Sequence, residues 1–196
     1  MNPNSVVCAI FSLALFIFVG FAQTLWFRTA ASRHFATPLD FGRTWQNRRI
    51  FGDNKTFRGF VVMLPAGALT FFLAGLVINR LDPGGPLRSA LWDLTRVQWA
   101  TLGFLASLGF LLGELPNSFV KRRLDIAPGG APDGKVLRRT FFVVDQLDSG
   151  FRMLIAMSLL VSTGILFWAT FLVAGALLHW LFAWLLFALG LKSRPA

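Results

Sequence analysis

The sequence predicts an all-α, polytopic membrane protein in which five transmembrane helices carry cytoplasmic loops that form a polar site. Three observations predict it. Apolar types make up 55% of the 196 residues, with 22 Phe and 7 Trp, and mean hydropathy is +0.62. Charged residues are 14%, against about 25% in ordinary soluble chains. Those charges cluster in a few segments between long apolar runs, the pattern of a chain that crosses a bilayer. The whole chain, residues 1–196, reads as one membrane domain.

The first apolar run covers Val6 to Phe27. No basic residue precedes it and it is long enough to span, so it reads as a helix rather than a cleaved leader. The second covers Gly59 to Ile78, with Pro65 and Gly67 inside it, which predicts a kink or an irregular start. The third covers Trp99 to Leu115 and is ended by Pro116. The last apolar stretch, Phe151 to Leu191, exceeds the ~20 residues of one crossing. It folds back as two helices, with the break expected near Trp168 to Thr170.

Charge sets the orientation. Loop one, residues 28–58, carries Arg28, Arg33, Arg43, Arg48, Arg49, Lys55 and Arg58. Loop two, residues 116–150, carries Lys121, Arg122, Arg123, Lys135, Arg138 and Arg139, and the tail has Lys192 and Arg194. The other side has Arg80, Arg88 and Arg96. The positive-inside rule places the amino terminus outside and both long loops and the tail in the cytoplasm, in an inner membrane. The net charge of +10 follows from this retention signal, and nucleic acid is not an expected partner. The single cysteine, Cys8, lies inside the first apolar run, where it packs and forms no intrachain disulfide.

Loop one contains Arg48-Arg49-Ile50-Phe51-Gly52-Asp53-Asn54-Lys55-Thr56-Phe57-Arg58-Gly59. Gly52 permits positive φ and close backbone approach, and Lys55, Thr56 and Arg58 offer donors to phosphate oxygens. The full phosphate-loop pattern and its preceding strand are missing. Alone, the segment reads more readily as a retention loop with a helix cap.

Loop two runs Glu114-Leu115-Pro116-Asn117-Ser118-Phe119-Val120-Lys121-Arg122-Arg123, and later Asp145-Gln146-Leu147-Asp148. If the fourth helix starts early, the i, i+3 spacing puts both aspartates on one face. Adjacent carboxylates repel, and a hard divalent cation relieves this; salt bridges to the basic cluster would also do so. Acidic residues for Mg²⁺ beside Lys and Arg suit nucleoside triphosphate chemistry. At a membrane surface, a soluble nucleotide meets a lipid headgroup.

These residues resemble the CDP-archaeol synthase family, a branch of the integral-membrane CTP:phosphatidate cytidylyltransferases. The resemblance rests on three blocks. One is Thr37-Pro38-Leu39-Asp40 leading into the loop-one segment. The second is Ser118-Phe119-Val120-Lys121-Arg122-Arg123-Leu124 with Pro128-Gly129, followed by Asp145-Gln146-Leu147-Asp148. The third is His179 followed by Leu189-Gly190-Leu191-Lys192. The resemblance implies transfer of CMP from CTP to a lipid phosphate, either phosphatidate or an isoprenoid-ether glycerol phosphate, giving a CDP-lipid and pyrophosphate. It implies Mg²⁺ as cofactor on Asp145 and Asp148, and Lys121, Arg122, Asp145 and Asp148 as catalytic groups. Gly52, Asp53, Lys55, Thr56, Arg58, Ser118, Lys121 and Arg122 would hold the nucleotide, with Arg123 and His179 at the lipid headgroup.

Three features depart from the family pattern. The stretch between Gly129 and Asp145 is longer than usual and carries Lys135, Arg138 and Arg139. Ser149 follows Asp148 where a bulky apolar residue is expected. The His-Gly-Gly element of the wider phosphatidate enzymes is missing. The attacking group would be a phosphate monoester, whose second pKa is about 6, so no general base is required. The histidines agree, since His34 and His179 both lie outside loop two. A non-catalytic lipid-headgroup-binding or lipid-transport protein is the rival class, explaining the cations but not the paired aspartates. A lipid phosphatase would need a nucleophile or base that the loops do not offer.

Overall fold

The structure, a computed structural model, describes residues 3–130 and 132–188. The tail cations Lys192 and Arg194, and the segment Leu189 to Lys192, lie outside the described residues. Helix α1 spans Ser5–Arg28, and the side chain of Asn4 accepts hydrogen bonds from the Val6 and Val7 amides at its start. A 3₁₀ turn, Ala31–Phe35, and a two-stranded antiparallel ribbon, β1 (Thr44–Trp45) and β2 (Arg48–Arg49), follow. Helix α2 spans Phe57–Leu81 and runs through Pro65; α3 is a short helix, Pro86–Ala90.

Helix α4 spans Arg96–Arg123 and opens on a capping box between Thr95 and Gln98. It does not end at Pro116, as the sequence suggested. A proline inside a helix costs about 3 kcal/mol by itself. Here α4 is packed along its length between α2 and α5, and that packing carries the helix past the missing hydrogen bond. Helix α5 begins at Lys135 and runs to Met157. The connection between α4 and α5 therefore narrows to residues 124–134 instead of 116–150, and Asp145 and Asp148 lie in mid-helix.

The break before the last helix, α6 (Ile165–Ala188), falls at residues 158–164 and not near Trp168 to Thr170. Ser158 and Thr163 share a hydroxyl contact at 2.6 Å, and the Trp168 indole N–H donates to Thr163 Oγ1 at 2.9 Å. Trp168 thus secures the turn from within the following helix.

Each long helix packs on two neighbours, in the order α1–α2–α4–α5–α6 and back to α1, closing a ring. Helices α1, α2 and α4 are each long and apolar enough to cross a membrane, and α6 is apolar over Ile165–Leu181. Helix α5 is amphipathic, with its charged half at its start, so among the described residues three helices meet the length and apolarity of a span, against the five expected from the sequence. Small residues let the ring close. A Cβ on Gly109 would lie 2.6 Å from the Arg152 carbonyl oxygen, and one on Gly113 would lie 2.9 Å from Ser149 Cα. Close backbone approach of this kind is the usual source of helix association in lipid, where apolar contact alone gives little.

Candidate functional site

Loop one is built around Asp40. Its carboxylate is buried and accepts from the Gly42, Phe51 and Gly52 amides at 3.1, 2.9 and 3.0 Å and from Arg49 Nη2 at 2.6 Å. Burial opposes ionisation of the Asp40 carboxyl, but Arg49 and the three amides outweigh it and hold the group well below the usual carboxylate range. Arg49 is pushed up by the same contact and by Asp53, its second partner at 2.5 Å. The ribbon turns through Gln46 and Asn47, both at positive φ, the backbone that tight hairpins require.

This folded loop sits directly on the connection after α4. Gly52, at φ +98°, is packed so that a Cβ would lie 3.0 Å from Pro128 Cγ and 3.6 Å from Arg122 Nη1. Its positive φ and its close approach both require glycine. Arg48 pairs with Asp125 at 2.5 Å. Arg123 donates to the carbonyls of Trp45, Arg48 (3.0 Å) and Arg49 (2.6 Å). Lys55 forms an ion pair with Glu114 of α4.

Behind this contact lies a cavity of about 1080 Å³ between the α4 end, the start of α5 and loop one. On its α4 side, Glu114, Asn117, Ser118 and Lys121 follow an i, i+3, i+4, i+7 spacing and share one face. Across from them, Lys121 Nζ contacts both oxygens of Asp145, at 2.6 and 2.7 Å. The Asn117 amide donates one hydrogen bond to Asp145 (2.6 Å) and one to Asp148 (2.8 Å). Asp148 also accepts from the amide and hydroxyl of Ser149, at 2.6 and 3.0 Å. The predicted carboxylate pair is thus a bridged pair on one helix face. Arg122 is 7% exposed, and its Nε and Nη1 have no partner among the described residues.

Of the residues singled out from sequence, Lys55, Ser118, Lys121, Arg122, Asp145, Asp148 and His179 line this cavity. Gly52, Asp53, Thr56, Arg58 and Arg123 do not. Arg58 donates to the Phe27 carbonyl and Ser32 Oγ, both at 2.7 Å, tying α2 to the end of α1. Thr56 occupies the cap position of α2 without a side-chain cap bond. Asp53 is on Arg49, and Arg123 is committed to the ribbon rather than to open headgroup space. Sequence reading assigned no role to Asp40, Glu114 or Asn117. The signal for the last two was present in the α4 spacing, but reading Pro116 as a helix end hid it.

A smaller pocket of about 290 Å³ lies inside the ring, walled by apolar residues of α1, α4, α5 and α6 such as Phe16, Phe110, Met153 and Phe171. It shares Glu114, Gln146, Ser149 and His179 with the polar cavity. The two compartments therefore meet at that boundary.

Five long helices in a closed ring, with a charged cavity at one end backed by an apolar pocket, define a helical membrane protein whose candidate site lies at the end of its own bundle. The chain belongs to the CarS-like CDP-archaeol synthase family, whose model matches residues 27–195. It is 43% identical over 94 residues to the CDP-archaeol synthase of Pyrococcus furiosus, covering 47% of this chain and 49% of that one. It is 34% identical over 113 residues to the CDP-archaeol synthase of Saccharolobus islandicus, covering 57% and 52%. The chain thus spans about half the length of the curated relatives it matches. A solved structure described as an intramembrane enzyme for archaeal membrane lipids biosynthesis superposes with a TM-score of 0.55 at 25% identity, over 83% of this chain and 89% of that one.

Proposed function

We propose that this protein transfers CMP from CTP to a lipid phosphate monoester, giving a CDP-lipid and pyrophosphate, with its polar cavity on the cytoplasmic side and its amino terminus outside. One observation carries the reading: the Lys121–Asp145–Asn117–Asp148 cluster lines a polar cavity that shares its inner boundary with an apolar pocket inside the ring. A phosphate-bearing lipid needs both environments at once. Membership of the CDP-archaeol synthase family supports the same chemistry.

In this reading an oxygen of the lipid phosphate attacks the α-phosphorus of CTP. The new bond is that oxygen to Pα; the bond broken is Pα to the oxygen bridging to the β-phosphate, and pyrophosphate leaves with the electron pair. The monoester is ionised near neutrality, with a second pKa of about 6, so no protein base is needed. Lys121 holds Asp145 in place and balances charge as the phosphates arrive. Arg122, which also lines the cavity, contributes a fixed positive charge beside them.

The donor set fits a magnesium ion. No group of three or more His, Cys, Asp and Glu side chains assembles among the described residues. Mg²⁺ is usually held by one or two carboxylates together with substrate phosphates. Asp145 and Asp148, bridged by an amide whose own Oδ1 is buried without a partner, match that pattern. When bound, the ion would neutralise charge on the reacting phosphates.

The rival reading, a headgroup-binding protein without catalysis, is disfavoured because it gives no reason to bring two carboxylates together at the centre of an anion-attracting cavity. The test is labelled CTP with purified protein, with and without Mg²⁺, against a panel of diacyl and isoprenoid-ether glycerol phosphates. Formation of a labelled lipid that requires Mg²⁺ is expected. Binding of lipid phosphates with no labelled product from any of them would overturn the proposal.

A further inference from the structure

We propose that Arg138 and Arg139, at the start of α5, form the binding site for the pyrophosphate end of the nucleotide; this rests on the reading above. Both side chains line the polar cavity. Neither has a hydrogen-bond or ion-pair partner among the described residues. The other cations of the cavity are differently placed, since Lys55 is paired with Glu114 and Lys121 with Asp145. Arg122, Arg138 and Arg139 therefore face Asp148 as the remaining anion of the lining, an excess of positive charge that calls for a polyanion.

Order along α5 says which part of the polyanion. Arg138, Phe141, Asp145 and Asp148 follow an i, i+3, i+7, i+10 spacing and share one face. Ser149, next to Asp148, lines both compartments, so this end of the row borders the apolar pocket. Arg138 lies seven residues earlier than Asp145, roughly 10 Å along the axis at 1.5 Å per residue. Both arginines are exposed, so they stand where the cavity meets water. A lipid phosphate held at the boundary with the apolar pocket reaches the α-phosphorus beside the aspartates. The β- and γ-phosphates then extend the other way along α5, towards Arg138 and Arg139. The leaving pyrophosphate exits past the same pair. This places a role on the stretch between Gly129 and Asp145.

The chemistry recognised is a phosphate, and two sources could supply it: free pyrophosphate or a lipid phosphate. Calorimetric titration of pyrophosphate with Mg²⁺ into protein in detergent separates them when paired with titration of a short-chain lipid phosphate monoester. Loss of two charged contacts, about tenfold each, predicts that the Arg138→Gln, Arg139→Gln double variant binds pyrophosphate about 100-fold more weakly. Lipid phosphate binding stays unchanged and shows that the variant is folded. The Arg138→Lys, Arg139→Lys pair recovers much of the pyrophosphate affinity. Pyrophosphate affinity in the Gln pair within about twofold of the parent, near the limit of additivity, overturns the assignment. So does loss of lipid binding with pyrophosphate binding intact. A parent protein that binds pyrophosphate through these arginines but makes no CDP-lipid supports the clamp and overturns the reaction instead.

Discussion

The two ends of the helix ring solve the same problem in opposite ways. At the end formed by residues 82–95 and 158–164, the space between helices is filled with rings. Trp92, Trp99 and Phe167 are buried, with Trp92 5.3 Å from Phe167 and 6.3 Å from Trp99 between ring centres. The polar groups there pair across short distances: Trp92 Nε1 donates to the Ser162 carbonyl, and the Asn4 amide to the Ala90 carbonyl at 2.8 Å. At the other end the chain surrounds a cavity of about 1080 Å³ lined by Lys121, Arg138, Asp145 and Asp148, and behind its wall Arg122 Nη1 and Asn117 Oδ1 are buried without partners among the described residues. Close packing holds one end together. At the other, unpaired buried groups cost hydrogen bonding, and the cavity beside them is lined by charged side chains instead of being filled.

The contrast is broken most sharply by a change that removes charge without volume. Asp148→Asn is expected to lower CDP-lipid formation by roughly 10³-fold, as loss of a key electrostatic group does elsewhere, with helix content unchanged. Turnover near that of the parent at saturating Mg²⁺ would remove Asp148 from the site. The converse change belongs to the packed end. Trp99 is 2% exposed, and Trp99→Ala should cost about 3–5 kcal/mol of stability while turnover per folded molecule is retained. Thermal unfolding in detergent beside a turnover assay checks this; a turnover defect with the Tm preserved would mean that the two ends are not separable.

Lys55→Ala and Lys121→Ala should each reduce use of Mg-CTP by about tenfold. The double variant should be non-additive by roughly 1 kcal/mol, as for groups that share one ligand. Strict additivity would leave loop one as a packing and orientation element that happens to touch α4. Sidedness sharpens the same contrast. Cysteines at Ser89 and Lys135, in a variant lacking Cys8, should label from opposite sides of sealed membranes, and labelling of both from one side would refute the orientation.

The smallest effect concerns pH. The Asp40 carboxyl is held below its ordinary value, so its contribution to loop-one stability is fully present above the unfolded pKa of about 3.9. That contribution is lost as pH falls further, through the depressed folded value. Protection factors of the amides in residues 38–56, with the intrinsic pH dependence of exchange removed, should fall severalfold on acidification below about pH 4. In Asp40→Asn the same segment should exchange faster at neutral pH and lose that acid dependence. An identical acid profile in parent and variant would assign the ordering of loop one to Arg48 and Arg123 instead.

Some of this was legible in the residues and some was not. Long apolar runs announced α1, α2, α4 and α6, because a bilayer demands length and apolarity that can be counted along a chain. The Asp145 and Asp148 pair was visible from i, i+3 spacing alone, since helical periodicity is local. The break before α6 was misplaced because it depends on Thr163 accepting from Trp168, a contact that hydropathy does not report. The end of α4 was misplaced because Pro116 is a local penalty that lateral packing overrides.

By itself, then, the sequence determined the membrane class, the apolar spans, the charged segments and the one-face aspartates, all set by local composition and period. Tertiary structure decided which charges meet. Arg58 and Arg123 look no different in the chain from Lys55 and Lys121, yet the fold turns the first two onto backbone carbonyls and the second two onto carboxylates lining the cavity. It also decided that Asp40 organises loop one and that Asn117 bridges the two aspartates. The physical reason is that a charged side chain's role depends on its partners within a few ångströms. In a closed ring of helices those partners come from segments as far apart as residues 48 and 125.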